Sequence, residues 1–215
     1  MENKVLSKSF LWMAIGLLVT FATGYGVSAS ETMLENIFSG SGYIIFIIVE
    51  FILVIVLSAR VMKMNPTAAK ICFLLYSFVS GLTFSAIFVV YEMTSIMYIF
   101  LLSAAIFAVM AFIGAKTNVD LTKIGTYFMI GLLAAIVVAL LNVLIFKSTM
   151  LATGISVAVV LLFIGVTAYD VQKILRMSDS GIAEDNIAIY GALNLYLDFI
   201  NIFIHLLQLF GKGRD

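Results

Sequence analysis

The chain has 215 residues, of which 63% are hydrophobic and only 11% are charged, and its formal net charge is zero. A soluble domain carries roughly 25% charged residues, so these charges are too few to cover a surface that faces water. Zero net charge gives no basic surface for nucleic acid. The single cysteine, Cys72, excludes an internal disulfide and a cysteine-rich metal site.

The apolar residues fall into long segments of the kind that cross a membrane. A helix needs about 20 apolar residues to span the hydrocarbon, and seven segments qualify: 9–29, 42–62, 68–91, 94–115, 124–146, 150–175 and 188–210. No gap between them could hold a soluble domain. We predict an all-α membrane protein with seven transmembrane helices in a single polytopic domain, residues 1–215. No phosphate-binding glycine loop is present, which disfavours ATP-driven pumping by this chain alone. We expect a monomer and no cofactor.

The first segment permits a second interpretation. Lys4 and Lys8 precede an apolar stretch, and "VSAS" after that stretch resembles the small-residue cleavage site of a signal peptide. The apolar stretch is long for a signal peptide, and cleavage would leave six spans. We therefore favour a transmembrane helix.

The basic residues predict the orientation, because cytoplasmic loops are rich in lysine and arginine. With the N-terminus in the cytoplasm, nine of the twelve basic residues lie inside: Lys4, Lys8, Arg60, Lys63, Lys70, Lys116, Lys123, Lys173 and Arg176. Lys147, Lys212 and Arg214 then lie outside. If the last segment entered the membrane and returned, the C-terminal pair would also lie inside. Charge alone does not separate these two topologies.

Four ionisable residues lie within the predicted spans: Glu50, Asp170, Asp198 and His205. A charged side chain at the centre of a membrane helix costs about 2.5–3.5 kcal/mol on insertion scales. Such residues are candidates for ion or proton sites. They can equally serve as hydrogen-bonding groups that hold the helices together.

The last segment carries a polar stripe. Its members, spaced alternately four and three residues apart, are Asn194, Asp198, Asn201, His205 and Gln208. At 100° per residue they fall within an arc of about 80° on the helix. A polar stripe is costly against lipid, so it should face other helices or water. The seventh helix is therefore expected to be surrounded by the other six.

Asp170 lies late in the sixth span and forms a possible pair with Asp198. Each is 14 residues from residue 184, which we place in the connecting loop. In two antiparallel helices, positions equally far from the turn lie at similar depth. Lys173 is an alternative local partner for Asp170. Two carboxylates in a low-dielectric site cannot both ionise cheaply, so such a pair tends to share a proton. The pair could act as a pH sensor, a cation site or an acid–base catalyst.

Three segments resemble the transmembrane Bax inhibitor motif family in its bacterial branch. They are "GALNLYLDFINIFIHLLQLFG" at 191–211, "AYDVQKI" at 168–174 and "EFILVIVLSARVMKM" at 50–64. The resemblance implies six helices around a central seventh and a pH-sensitive calcium leak across the cytoplasmic membrane. It implies that Asp170 and Asp198 form the pH sensor and that Arg60 acts as a latch. Carboxylate oxygens suit Ca²⁺, so Asp170, Asp198 and Glu50 are possible calcium ligands.

The resemblance also supplies a rival function, because some bacterial relatives bind and restrain a membrane-bound ATP-dependent protease. An intramembrane aspartyl protease is disfavoured. Tyr169 and Asp170 match the Tyr-Asp pair of those enzymes, but Leu195, Tyr196 and Leu197 stand where they carry Gly-x-Gly. We therefore expect a protein that is not an enzyme.

Overall fold

The computed structural model describes residues 2–40, 42–178 and 181–214. Within these residues the chain is helical and no strand is present. The α-helices are α1 (Glu2–Ser28), α2 (Glu31–Phe38), α3 (Gly42–Arg60), α4 (Pro66–Val90), α5 (Met93–Lys116), α6 (Thr122–Leu141), α7 (Thr149–Met177) and α8 (Glu184–Phe210). A 3-10 turn, Val61–Lys63, follows α3, and a π-helical turn, Asn142–Phe146, follows α6. The predicted all-α class is confirmed.

Seven helices in the described residues are long and apolar enough to cross a membrane, which confirms the predicted number of spans. The largest differences from the predicted bounds lie at the first span, which begins at Lys4, and at the last, which begins at Glu184. The helix α2 was not predicted. It is a short helix in the gap after the first span, and the Ser30 hydroxyl caps it by accepting a hydrogen bond from the amide of Met33.

The chain forms two compact units, which are described separately. Unit 1 contains α1 to α4, the first half of α8 up to Tyr196, and the C-terminal tail from Gly213. Unit 2 contains α5, α6, most of α7 and the second half of α8 from Leu197. The single-domain organisation stays a prediction.

In unit 1, α1 and α4 pack closely because small residues lie between them. A Cβ atom at Gly81 of α4 would lie 2.6 Å from the Thr23 Cβ and 2.8 Å from the Thr20 carbonyl oxygen of α1. The Thr20 hydroxyl donates a hydrogen bond of 2.9 Å to the carbonyl oxygen of Ser77. Small residues let two helix backbones approach in a membrane, where packing and hydrogen bonds drive association. The first span is thus part of this folded unit.

Contacts at the two ends of unit 1 show the path of the last helix, α8. At one end, Asp185 at the start of α8 pairs with Lys8 of α1 and with Lys70 at the start of α4. At the other end, the Arg214 amide donates a hydrogen bond of 2.9 Å to the Val90 carbonyl oxygen at the end of α4. The helix α8 is continuous between these ends. This excludes the alternative topology in which the last segment enters the membrane and returns to the same side. The C-terminal tail lies at the end opposite the start of α1.

In unit 2, the second half of α8 packs through aromatic rings. Phe199 lies edge-on to Phe100 and to Phe107 of α5, with ring centroids 5.1 Å and 5.9 Å apart. Helices α5 and α7 cross where Gly114 of α5 meets Ala168 of α7. A Cβ atom at Gly114 would collide with the Ala168 backbone. This close contact lies two residues before Asp170 in α7. It therefore determines which part of α5 lies beside Asp170.

The helix α8 is the most buried of the seven spans. In its most apolar window 72% of the residues are buried, against 6% in the span that contains α6. The buried residues of α8 are mostly apolar and include Leu193, Leu195, Tyr196, Ile202, Phe203 and Leu207. Burial by other helices agrees with the inner position expected for this helix.

Candidate functional site

The candidate site contains Asp170 of α7 and Asp198 of α8, which both belong to unit 2. Asp170 is 8% exposed and Asp198 is 2% exposed. The two carboxyl groups are close enough for their charges to interact. The Thr167 hydroxyl, one turn before Asp170, lies within hydrogen-bonding reach of Asp198, and it also donates to the Phe163 carbonyl oxygen. The structure thus brings together the two aspartates that the sequence singled out.

One oxygen of Asp198 lacks a protein partner. The Oδ2 atom is buried and accepts no hydrogen bond from any described residue. Leaving a buried polar atom unpaired costs about 1–3 kcal/mol, and more for a charged group. A bound proton or cation would relieve this cost, because either one neutralises the carboxylate. The pair therefore has the electrostatics of a site that takes up positive charge.

The structure corrects the predicted position of the turn between α7 and α8. Residue 184 is the first residue of α8 and not part of a loop, and the connection between α7 and α8 runs from 178 to 183. Asp170 therefore lies seven residues before the end of α7, whereas Asp198 lies 14 residues after the start of α8. The prediction misplaced the turn because Glu184 and Asp185 are charged, and charged residues were assigned to the loop. Their lysine partners allow these residues to form the first turn of the helix.

Two residues that follow Asp170 complete its surroundings. The Lys173 ammonium attracts the Asp170 carboxylate electrostatically and also lies 5.7 Å from the centre of the Tyr169 ring. The Gln172 side chain accepts a hydrogen bond from the Leu121 amide at 2.9 Å and donates to the Val119 carbonyl oxygen at 2.8 Å. Gln172 thus ties α7 to the connection between α5 and α6. Sequence reasoning missed this role, although Gln172 lies within the quoted "AYDVQKI".

The polar stripe on α8 runs along the less covered side of the helix. Asn194, Asn201 and His205 are half-buried and Gln208 is exposed, so Asp198 is the only fully buried member. The side-chain nitrogens of Asn194 and Asn201 donate to carbonyl oxygens of their own helix, at Tyr190 and Leu197. These two residues therefore satisfy their donors within α8. The stripe is not a continuous polar seam between helices.

His205 takes part in a separate polar cluster in unit 2. Its Nδ1 atom lies 3.2 Å from the Ser156 hydroxyl of α7, and that hydroxyl donates a hydrogen bond of 2.9 Å to the Gln208 side-chain oxygen. This cluster joins α7 to the end of α8. It gives His205 a packing role, and the resemblance assigned no role to this residue.

Glu50 and Arg60 both lie on α3 in unit 1. The Thr83 hydroxyl of α4 donates a hydrogen bond of 2.7 Å to Glu50, and the Arg60 side chain is exposed at the end of α3. Among the described residues, no three His, Cys, Asp or Glu side chains form a group that could hold a metal ion. The role of Glu50 as a calcium ligand stays a prediction. The latch role of Arg60 stays a prediction.

Comparison with known proteins places these residues among related sequences. A family model described as "Inhibitor of apoptosis-promoting Bax1" matches residues 2–215. An uncharacterized protein of Borreliella burgdorferi is 39% identical over 219 residues, which cover 100% of this chain and 94% of the relative. Inner membrane protein YbhL of Escherichia coli (strain K12) is 36% identical over 215 residues, which cover 97% of this chain and 92% of YbhL. An uncharacterized membrane protein of Streptococcus pyogenes serotype M1 is 42% identical over 168 residues, covering 77% of this chain and 72% of the relative.

Proposed function

Because the chain belongs to the Bax inhibitor family, whose model matches residues 2–215, we propose that it is a pH-sensitive cation leak channel of the cytoplasmic membrane. The expected ion is Ca²⁺, and the gate is the pair Asp170 and Asp198. The N-terminus is placed in the cytoplasm, in keeping with the distribution of basic residues. The similarity to a protein named as an inner membrane protein supports the same membrane.

The observation that carries this proposal is the buried, unpaired Oδ2 atom of Asp198 beside a second carboxyl group. One proton between two carboxyl groups makes a short charge-assisted hydrogen bond and removes one negative charge. Loss of that proton leaves two anions in a site with little water. At an effective dielectric constant of about 20, charges about 4 Å apart repel by roughly 4 kcal/mol. That repulsion is enough to change the packing of α7 against the second half of α8.

The same two carboxylates supply oxygen ligands for a passing cation. Ca²⁺ takes six to eight oxygen ligands, so two carboxylates alone do not make a tight site. Weak coordination suits a leak, because an ion that binds too tightly is not released. Water or backbone carbonyl groups would complete the shell. No catalytic step is part of this function.

The test is ion flux through liposomes that contain only the purified protein. A calcium-sensitive dye inside the liposomes should report entry faster than in protein-free liposomes, with a rate that varies between about pH 5 and pH 8. Circular dichroism of the same liposomes checks that the helices are intact. Folded protein that gives no flux at any pH would contradict the channel. That result would favour the rival function, in which the protein binds and restrains a membrane-bound ATP-dependent protease.

A further inference from the structure

A groove in unit 1 combines two basic side chains with an apolar wall. It has a volume of about 420 Å³ and is lined by residues at the end of α3 and just after it: Ile55, Val56, Ala59, Arg60, Lys63 and Met64. Ile55 and Val56 are about half exposed, and Arg60 and Lys63 are exposed as well. The groove is therefore open to the surroundings of the helix, which in a bilayer are lipid molecules.

The groove lies where the headgroup layer of a bilayer meets the hydrocarbon. The span that contains α3 runs for 22 residues, from Gly42 to Lys63. A helix of that length is about 33 Å long, which is close to the thickness of the hydrocarbon. Arg60 and Lys63 thus reach the level of the headgroups, whereas Ile55 lies about 8 Å deeper along the helix axis. The basic end of the groove faces headgroups, and its apolar wall faces acyl chains.

The 3-10 turn after α3 places both basic side chains on the same side of the chain. Arg60 immediately precedes this turn and Lys63 ends it, and side chains three residues apart are eclipsed in a 3-10 helix. The backbone of the turn is held in place from unit 1. Val61 is fully buried, and the Asn186 side chain donates hydrogen bonds to the carbonyl oxygens of Val61 and Met64. The two cations therefore stand on a fixed backbone.

Arg60 and Lys63 have no carboxylate partner among the described residues. The other lysines at this end of unit 1 pair with carboxylates at the start of α8; they are Lys4, Lys8 and Lys70. None of those ion pairs includes Arg60 or Lys63. Two cations that line one groove repel each other, and an anion bound between them would offset that repulsion. Unit 1 supplies no such anion, so the anion that suits this groove comes from outside the chain.

We propose that this groove binds one anionic phospholipid, with its phosphate group between Arg60 and Lys63 and one acyl chain against Ile55 and Val56. The planar guanidinium group can donate two parallel hydrogen bonds to phosphate oxygens, and the ammonium group adds a point charge. Basic clusters beside a transmembrane helix are typical of sites for anionic lipids. A zwitterionic headgroup fits less well, because the two cations repel its ammonium group. This role does not require channel activity.

The test measures lipid binding to the full-length protein in detergent micelles by native mass spectrometry, with phosphatidylglycerol and phosphatidylcholine of identical acyl chains. Phosphatidylglycerol should bind at least about tenfold more tightly, because only its headgroup carries a net negative charge. Arg60→Gln combined with Lys63→Gln should abolish this preference. Lys123→Gln removes an exposed cation outside the groove and should retain it. Equal binding of the two lipids, or an equal loss in both variants, would overturn the proposal.

A second pair of experiments separates a lipid from a free anion held by the same two cations. Glycerol phosphate carries a phosphate group but no acyl chain, so millimolar concentrations should not displace phosphatidylglycerol. Displacement would show that the groove takes a free anion and would overturn a lipid site. Ala59→Leu places a larger side chain in the groove and should weaken lipid binding severalfold. Ser58→Leu changes an exposed neighbour outside the groove lining and should not. Equal effects of the two substitutions would contradict the position given to the acyl chain.

Thermal unfolding of the same samples provides the folding control. Without lipid, the parent protein and the double variant should melt within about 2 °C of each other, because both substituted side chains are exposed. A lipid that binds only the folded protein raises the melting temperature. Phosphatidylglycerol should therefore raise the melting temperature of the parent protein more than that of the double variant. Equal stabilisation of both proteins would show that the lipid acts elsewhere and would overturn the proposal.

Discussion

The Asn186 side-chain nitrogen donates a hydrogen bond of 2.5 Å to the carbonyl oxygen of Val61, in the turn that follows α3. The same nitrogen donates a second hydrogen bond, of 2.8 Å, to the Met64 carbonyl oxygen. One buried amide group therefore satisfies two backbone acceptors in the connection between α3 and α4. It fastens the first turn of α8 to that connection.

We predict that Asn186→Ala destabilises the protein by about 1–3 kcal/mol, because two carbonyl oxygens would lose a buried donor. The matched control is Asn194→Ala, since among the described residues the Asn194 side chain bonds only to its own helix. Thermal unfolding in detergent micelles measures both variants. Equal melting temperatures for Asn186→Ala and the parent protein would contradict the role assigned to this residue.

The crossing of α5 and α7 gives a second prediction. A side chain at Gly114 would collide with the Ala168 backbone, whereas a Cβ atom at Gly154 would meet nothing within 4 Å. Gly114→Val should therefore force the helices apart near Asp170 and greatly lower the yield of folded protein. Gly154→Val adds the same atoms in open space and should fold normally. Size-exclusion chromatography of the two purified variants makes the comparison, and equal folded yields would show that this contact is not required.

The ion pairs at the start of α8 give a third. Asp185 lies 3.1 Å from the Lys8 ammonium and also pairs with Lys70, and its side chain is about a third exposed. Ion pairs with this exposure are screened by salt. Asp185→Asn should lower the melting temperature at low ionic strength, and most of the difference should disappear in concentrated salt.

The control for that measurement is Glu35→Gln on α2, which removes the same charge from an exposed position outside the cluster. It should change the melting temperature little in either buffer. A salt-independent effect of Asp185→Asn would indicate that the carboxyl group acts through packing and not through its charge.

Hydrophobic length was sufficient to predict the fold class and the seven spans. An apolar run long enough to cross the membrane has few alternatives when the rest of the chain is short. The ends of the helices were less predictable. Glu184 and Asp185 were assigned to a loop because they are charged, but Lys8 and Lys70 offset these charges from distant positions in the sequence. Ion pairs between distant residues are invisible to local composition.

The site was predicted in part for similar reasons. The 3.6-residue period placed Asp198 on a helix, and the "AYDVQKI" segment drew attention to Asp170. The period could not show that Asn194 and Asn201 bond within their own helix, because that depends on rotamers. It also could not show that Gln172 contacts the connection between α5 and α6. The grouping of Glu50 with the aspartates stays a prediction, because composition does not specify which spans converge.

We propose that Asp170 and Asp198 sense pH and gate ion flow. The most direct measurement is the pH profile of Ca²⁺ flux into liposomes containing the parent protein, Asp170→Asn or Asp198→Asn. Asparagine keeps the shape of the side chain but does not titrate, so both variants should give a flat profile between about pH 5 and pH 8. Asp185→Asn removes a carboxylate from the ion pairs at the start of α8 and should keep the shape of the parent profile. If both site variants retain the parent profile, the two aspartates do not sense pH and serve only in packing.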